Sequence, residues 1–181
     1  MCEEVRKAHG RTIDILISNA GYGKRIRDIW DIPLEEFDHT LNVNLRATFI
    51  LVKGVVEGMK AKKWGRIITI GSIAAYGAGI NGAHYAASKG GLVGMSKNLA
   101  SRLAEFGITV NDVAPAMVES GMMNEGSGAG EGETEPLSKR LGIPVGRLGR
   151  AEEVANAVEM FVKSGYVTGQ SLLVAGGLLH H

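Results

Sequence analysis

Four short runs of mostly β-branched and apolar residues recur along this chain, and longer segments with a helical period separate them. The runs are residues 13–17, 67–70, 108–110 and 171–174. Because nearly every position in them is apolar, both faces of each predicted strand must be covered, as in a parallel sheet. The alternation of these runs with helical patterns predicts an α/β fold, with helices on both faces of a parallel sheet.

Three intervening segments place apolar residues every three or four positions, which is the spacing of an amphipathic helix. They are residues 41–59, 85–106 and 151–162. Since 181 residues suffice for one compact domain and no repeat or linker divides them, we expect residues 1–181 to form a single domain. Residues 117–143 break the pattern with many glycines and glutamates. This composition is typical of a surface loop or of a mobile lid, and it does not favour a phosphate-binding loop. These two interpretations are compatible.

The composition excludes several classes of protein. With 45% hydrophobic residues and a net charge of +1, the chain is neither disordered nor basic enough for nucleic acid to be its main partner. No run approaches the roughly 20 apolar residues of a membrane span, and the N-terminus lacks the apolar core of a signal peptide. The single cysteine, Cys2, predicts a reducing, cytoplasmic location. The histidines lack the partners of a metal site, so none is predicted.

Several polar residues follow the predicted strands, where ligands of open parallel sheets bind. An Asn-Ala-Gly turn (19–21) follows the first strand and Ser72 follows the second, while Tyr85 and Lys89 lie one helical turn apart. An ammonium beside a phenol lowers the pKa of the phenol, so we expect Tyr85 to exchange a proton near neutral pH. Each motif alone is more often structural: a turn, a helix cap or a solvated helix pair.

In their order and spacing, these motifs resemble those of the classical short-chain dehydrogenase/reductase family. The matching segments are residues 14–21, 42–45, 71–89, 111–115 and 168–177. Residues 79–100 are most similar to the family's 3-oxoacyl-[acyl-carrier-protein] reductases, which serve fatty acid biosynthesis. The resemblance implies a three-layer, Rossmann-like sheet. It also implies an NAD(P)-dependent oxidoreductase that reduces a carbonyl, such as a 3-oxoacyl thioester or similar ketone, to an alcohol.

The resemblance also implies a role for each site residue. Tyr85 would protonate the carbonyl oxygen as hydride arrives from NAD(P)H, and Ser72 would hold that oxygen. Lys89 would lower the pKa of Tyr85 and bind the nicotinamide ribose, and Asn44 would hold a water that links Lys89 to solvent. The implied site for NADP or NAD, with NADP favoured, consists of Asn19, Ala20, Gly21, Tyr85, Lys89, Pro115, Val118 and Ser120.

The two long helices, 41–59 and 85–106, carry apolar residues beyond a single stripe, among them Ile50, Leu51 and Val55. These residues either cover the sheet or contact another subunit. Because similar helices pair between subunits in the family, the resemblance implies a homodimer or homotetramer.

Two departures from the family's pattern change these expectations. Members carry a glycine-rich phosphate loop before the Asn-Ala-Gly strand, and residues 1–12 contain none, so the chain corresponds to the C-terminal two-thirds of a member. We therefore expect an N-terminally truncated sheet with an open apolar first strand, weak cofactor affinity and impaired activity. Ala116 replaces the usual glycine and would crowd the cofactor turn. The alternative function is a non-catalytic subunit that acts by association or oligomerisation.

Overall fold

The computed structural model describes residues 2–77, 80–119 and 137–178. Within these ranges, the strands are β1 (Ile15–Ser18), β2 (Gly65–Ile70), β3 (Ile108–Pro115) and β4 (Ser171–Val174). They form one parallel sheet in the order β1-β2-β3-β4. All four predicted strands are therefore confirmed, although β1 begins later than predicted and β3 continues to Pro115.

The α-helices of the described residues cover both faces of this sheet. They are α1 (Cys2–His9), α2 (Leu34–Leu41), α3 (Ala47–Lys62), α4 (Ala83–Leu103), α5 (Leu137–Arg140) and α6 (Ala151–Lys163). Short 3-10 turns complete the described elements at Ile29–Asp31, Ile73–Tyr76 and Ala104–Phe106. No helix of the described ranges is both long enough and apolar enough to cross a membrane.

Two apolar clusters hold the layers together, one on each face of the sheet. On one face, α3 and α4 pack against β2 and β3; Met59 and Ile67 are buried there. On the other face, α6 buries Phe161 beside Ile68. Burying a large apolar side chain such as Phe161 contributes about 1.5–3 kcal/mol. Neighbouring residues of β2 thus face opposite clusters, which explains the continuously apolar run and confirms the predicted three-layer arrangement.

The predicted helix over residues 41–59 begins earlier and is not regular. α2 and α3 join through a π-helical turn, Asn42–Arg46, whose flanking residues keep right-handed helical backbone angles. Such π turns frequently occur at functional sites, and this one buries the Asn44 side chain. Of the two alternatives for the apolar residues of α3, Val55 takes the first: it belongs to the core against the sheet.

The strand order leaves β1 at an edge of the sheet. Its Ile15 and Ile17 side chains are 40% and 47% exposed. Within the described residues, β1 is therefore the apolar edge that the sequence predicts. At its carboxyl end, β1 leads into the turn over residues 19–21, next to the ends of β2 and β3.

Candidate active site

The carboxyl ends of β1, β2 and β3 open into a cavity of about 950 Å³. Ser72 lies in its wall beside members of the predicted cofactor site. These are Asn19, Ala20, Gly21, Tyr85, Lys89, Pro115 and Val118. The remaining predicted residue, Ser120, lies outside the described residues. The parallel order of the strands brings these segments together because all carboxyl ends meet at one side of the sheet.

The Ser72 side chain lies close enough to the Tyr85 phenol to act on it as a hydrogen-bonding neighbour that lowers its pKa. Ser72 also caps the 3-10 turn Ile73–Tyr76, since its Oγ accepts the Ala74 N–H at 3.1 Å. That cap fixes the hydroxyl at the start of the turn, on the cavity wall. Sequence spacing alone suggested either a cap or a catalytic hydroxyl, and the structure shows that the cap and the contact to Tyr85 occur together.

The expected direction of the Tyr85 pKa shift is wrong for this structure. Tyr85 is only 8% exposed, and burial raises the pKa of its phenol more than the Ser72 hydrogen bond lowers it. The Lys89 Nζ lies 5.7 Å from the centre of the Tyr85 ring and donates to another group. Tyr85 is therefore held protonated at neutral pH, which is the state that a proton donor needs.

Lys89 is buried and fixed by a backbone acceptor. Its Nζ donates to the Ile70 carbonyl at 2.8 Å, and burial lowers the pKa of the ammonium to about 8, although the negative charge of Asp112 opposes that shift. A Cβ built on Gly21 would lie 3.4 Å from this Nζ, so the turn after β1 passes beside the ammonium. An ammonium has three donors, and among the described residues Ile70 accepts one of them, which leaves donors for a ligand in the cavity.

Asn44 ties the turn after β1 to the helix that carries Tyr85. Its Nδ2 donates to the Tyr22 carbonyl and to the Ser88 Oγ, both at 2.9 Å, and its Oδ1 accepts the Tyr22 N–H at 2.7 Å. The Ser88 Oγ in turn donates to the Tyr85 carbonyl at 2.8 Å. Since both amide hydrogens of Asn44 have protein acceptors, its side chain fixes the turn after β1 against α4. The water that Asn44 is expected to hold stays a prediction.

Sequence reasoning missed several polar residues that support this site. Tyr22 and Ser88 complete the Asn44 contacts, and Thr69 and Asp112 form a buried pair beneath the cavity. Asp112 did carry a sequence signal, because it is a charged residue within the apolar stretch of β3. Residues that pair through hydrogen bonds between distant segments carry no local pattern, so the other three could not be found.

The expectation that Ala116 crowds the cofactor turn is also wrong. The residue with left-handed backbone angles is its neighbour Met117, with φ of 50°, so the Ala116 Cβ is not strained and lies in the cavity wall. The predicted lid over residues 117–143 lies mostly outside the described residues. Its described beginning is anchored, because Val118 bridges to Gly149.

The residues of the cavity fit the nicotinamide end of a dinucleotide. Tyr85 and Lys89 offer donors to hydroxyl or carbonyl oxygens, and the absence of a side chain at Gly21 keeps the space beside the Lys89 Nζ open. Pro115 and Val118 form an apolar wall against which a flat ring packs.

Comparisons with known proteins show which sequences this chain is similar to. A family model described as Enoyl-(Acyl carrier protein) reductase matches residues 1–179. The 3-oxoacyl-[acyl-carrier-protein] reductase FabG of Rickettsia bellii is 40% identical over 169 residues, covering 92% of this chain and 68% of that protein. The Escherichia coli enzyme of the same name is 40% identical over 189 residues, covering 97% and 70%.

Solved structures give the same result. The crystal structure of a 3-oxoacyl-[acyl-carrier protein] reductase with bound NAD from Brucella melitensis superimposes with a TM-score of 0.83 at 27% identity. It covers 98% of this chain, and this chain spans 66% of that protein. The chain thus spans about two thirds of the length of its relatives.

Replacing Asn44 tests whether its amide positions the turn after β1. In Asn44→Ala the part-buried Tyr22 N–H and carbonyl lose their partners, which costs about 1–3 kcal/mol where water does not replace them. We expect hydrogen exchange at the Tyr22 amide to accelerate while amides in β3 change little. Asn42→Ala is the matched control, because Asn42 lies in the same π turn and, among the described residues, its side chain accepts a hydrogen bond from the exposed Arg46. Equal Tyr22 exchange in both variants would contradict this role.

Proposed function

Because the chain belongs to the short-chain dehydrogenase/reductase family, we propose that its site reduces a carbonyl to an alcohol with NADPH or NADH. Tyr85 is the proposed proton donor. The observation that carries this proposal is the meeting of Ser72, Tyr85 and Lys89 in one cavity at the carboxyl ends of parallel strands. A hydroxyl, a protonated phenol and an ammonium are the groups that carbonyl reduction needs.

The chain's residues divide the work of the reaction. When bound, the nicotinamide supplies the hydride. The Ser72 hydroxyl and the Tyr85 phenol both donate to the substrate oxygen, which orients the carbonyl and stabilises the charge that develops on it. Burial keeps the Tyr85 phenol protonated until substrate binds, and Tyr85 then releases its proton to the oxygen, on which negative charge develops as hydride arrives. Lys89 would hold the ribose hydroxyls and, as a buried cation, stabilises the phenolate that remains.

The proposed substrate is a 3-oxoacyl thioester or a similar ketone. Its support is the identity of about 40% to enzymes named 3-oxoacyl-[acyl-carrier-protein] reductase. NADP is favoured by family resemblance, whereas the solved relative holds NAD, so both forms belong in the assay. Weak cofactor affinity and impaired activity of the 181 residues alone stay predictions. A cytoplasmic location is also proposed, from the single cysteine of the sequence.

The alternative of a non-catalytic association subunit has one supporting observation, the exposed Ile15 and Ile17 on the edge strand β1. An exposed apolar edge accepts another strand, but it leaves the buried polar groups of the cavity without a role. A buried lysine and tyrosine beside an open cavity favour the enzyme.

We also propose that the chain forms a homodimer or homotetramer through α2, α3 and α4. A mostly apolar groove of about 790 Å³ runs between these helices, and Leu41, Leu45 and Met95 line it. Phe49, which also lines the groove, is 55% exposed. The corresponding helices of a second copy would cover these side chains, and such a symmetric contact is the commonest arrangement in oligomers.

Replacing Tyr85 tests the proposed function. Loss of a general acid typically costs 10²- to 10⁴-fold in rate, so we expect that drop in NADPH or NADH oxidation for Tyr85→Phe. The assay uses a short 3-oxoacyl thioester and a small ketone, with cofactor at millimolar concentration. Tyr76→Phe is the control, because Tyr76 lies on the nearby 3-10 turn with its side chain exposed. Wild-type oxidation that is no faster than in Tyr85→Phe would contradict the proposal.

The oligomer is tested by size-exclusion chromatography with light scattering. We expect the wild-type chain to elute at two or four times its mass of 19.2 kDa. Phe49→Arg places a charge in the groove and should shift the mass to that of a monomer. Met160→Arg, on the exposed side of α6, should leave the mass unchanged. A wild-type mass of about one chain would overturn this part of the proposal.

A further inference from the structure

Asp112 is a buried carboxyl group that the proposed reaction does not use. It lies on β3 beneath the cavity and is 1% exposed. An isolated carboxylate in such a place is strongly unfavourable unless hydrogen bonds and an opposite charge compensate it. The surroundings of Asp112 provide both.

The register of the sheet places hydroxyl groups on either side of Asp112. Thr69 is its partner on β2, and Ser171 is its partner on β4. The Thr69 Oγ1 donates to the Asp112 Oδ1 at 2.8 Å, and the Ser171 Oγ donates to the Oδ2 at 2.5 Å. Burial raises the pKa of Asp112, and the two hydroxyl groups, each of which donates to one carboxylate oxygen, oppose that shift because they favour the ionised form.

A further hydroxyl extends this chain of donors to α4. The Ser96 Oγ lies 3.1 Å from the Thr69 Oγ1. Because Thr69 has one hydroxyl proton and gives it to Asp112, Ser96 must donate to Thr69. The donors then all point towards the carboxylate, and hydrogen bonds aligned in this way strengthen one another.

One peptide group connects this carboxylate to Lys89. The Ile70 carbonyl of this peptide accepts a hydrogen bond from the Lys89 Nζ. The N–H of the same peptide belongs to Gly71, and it donates to the Val113 carbonyl at 2.7 Å. This N–H also helps to stabilise the charged form of Asp112. A Cβ built on Gly71 would lie 2.6 Å from the Asp112 Oδ1. Glycine at this position therefore lets the carboxylate lie against the strand end that holds Lys89.

We propose that Asp112 is the buried counter-charge of Lys89, a positioning residue that keeps the Lys89 ammonium protonated and directed at the Ile70 carbonyl. Among the described residues, Asp112 is the charged group that acts on Lys89. Tyr85 is the other titratable group beside it, and the turn after β1, Asn44 and β2 present uncharged groups. The coupling of the two charges is a property of the resting protein, whereas its use in catalysis rests on the proposed function.

The sign of the effect follows from the charges. Burial lowers the pKa of Lys89 to about 8, and the negative charge of Asp112 opposes this. Removing that charge leaves burial unopposed, so the pKa of Lys89 must fall further. Less ammonium then exists at neutral pH, and the steps that need a cation fail at a lower pH than in the wild type.

The test is an NMR titration of Lys89 in the full chain labelled with ¹⁵N or ¹³C lysine, with Lys89→Gln to assign the signal. In Asp112→Asn, which keeps the shape of the side chain, we expect the Lys89 midpoint to move below its wild-type value. Ser96→Ala is the matched control, because it removes a hydroxyl from the same buried chain without removing charge. An unchanged midpoint in Asp112→Asn, or the same shift in both variants, would overturn the proposal.

A second variant keeps the test decisive if Asp112→Asn does not fold. Asp112→Ser also removes the negative charge but keeps a small polar side chain beside Thr69, and it should move the Lys89 midpoint in the same direction. No movement in Asp112→Ser would then overturn the proposal. Kinetics distinguish this proposal from the proposed function: in Asp112→Asn the loss of kcat/KM at alkaline pH should begin at lower pH. If Tyr85→Phe stays fully active while the Lys89 midpoint still responds to Asp112, the proposed function fails and the charge coupling stands.

Discussion

The parallel register of the four strands is the constraint on which the site depends. It places Ser18, Thr69, Asp112 and Ser171 in one row across the sheet, each paired with its neighbour. The row lies at the carboxyl ends of β1 and β2, within β3 and at the first residue of β4, so the polar side chains beneath the cavity are fixed together. A shift of one residue would move each of them to the opposite face of the sheet. The apolar clusters on both faces prevent that shift, and packing far from the cavity thereby fixes its chemistry.

Burial acts differently on the two titratable groups of the cavity. It raises the pKa of Tyr85 and lowers that of Lys89, because a low dielectric disfavours the charged form of each. The first shift keeps a proton donor protonated, whereas the second reduces the fraction of Lys89 that carries the positive charge the site needs. A buried carboxylate compensates the second effect without touching the substrate. The site therefore contains three ionisable groups, Tyr85, Lys89 and Asp112, in one poorly solvated region.

Much of this arrangement is accessible from sequence, since strands with two buried faces and helices with one are local patterns. The spacing of Ser72, Tyr85 and Lys89 also predicted the cavity, because the ends of parallel strands meet. The direction of the Tyr85 pKa shift was not accessible, as it depends on how much of the side chain the fold covers. Nor were the contacts of Asp112, whose hydrogen-bond partners lie 43 and 59 residues away. Val55 shows the same limit, because periodicity does not tell a core face from an interface.

The most direct test of the account is whether a reduced nicotinamide cofactor binds where these residues meet. Methyl groups of isoleucine and valine, labelled for NMR, report on this in the full chain without requiring turnover. As NADPH or NADH is added to millimolar concentration, we predict shifts of the Ile70 and Val118 methyl signals, since both side chains line the cavity. The methyl signals of Ile50, on the opposite side of α3 from the core, should stay in place. Shifts confined to distant residues, or no shifts at all, would contradict the account.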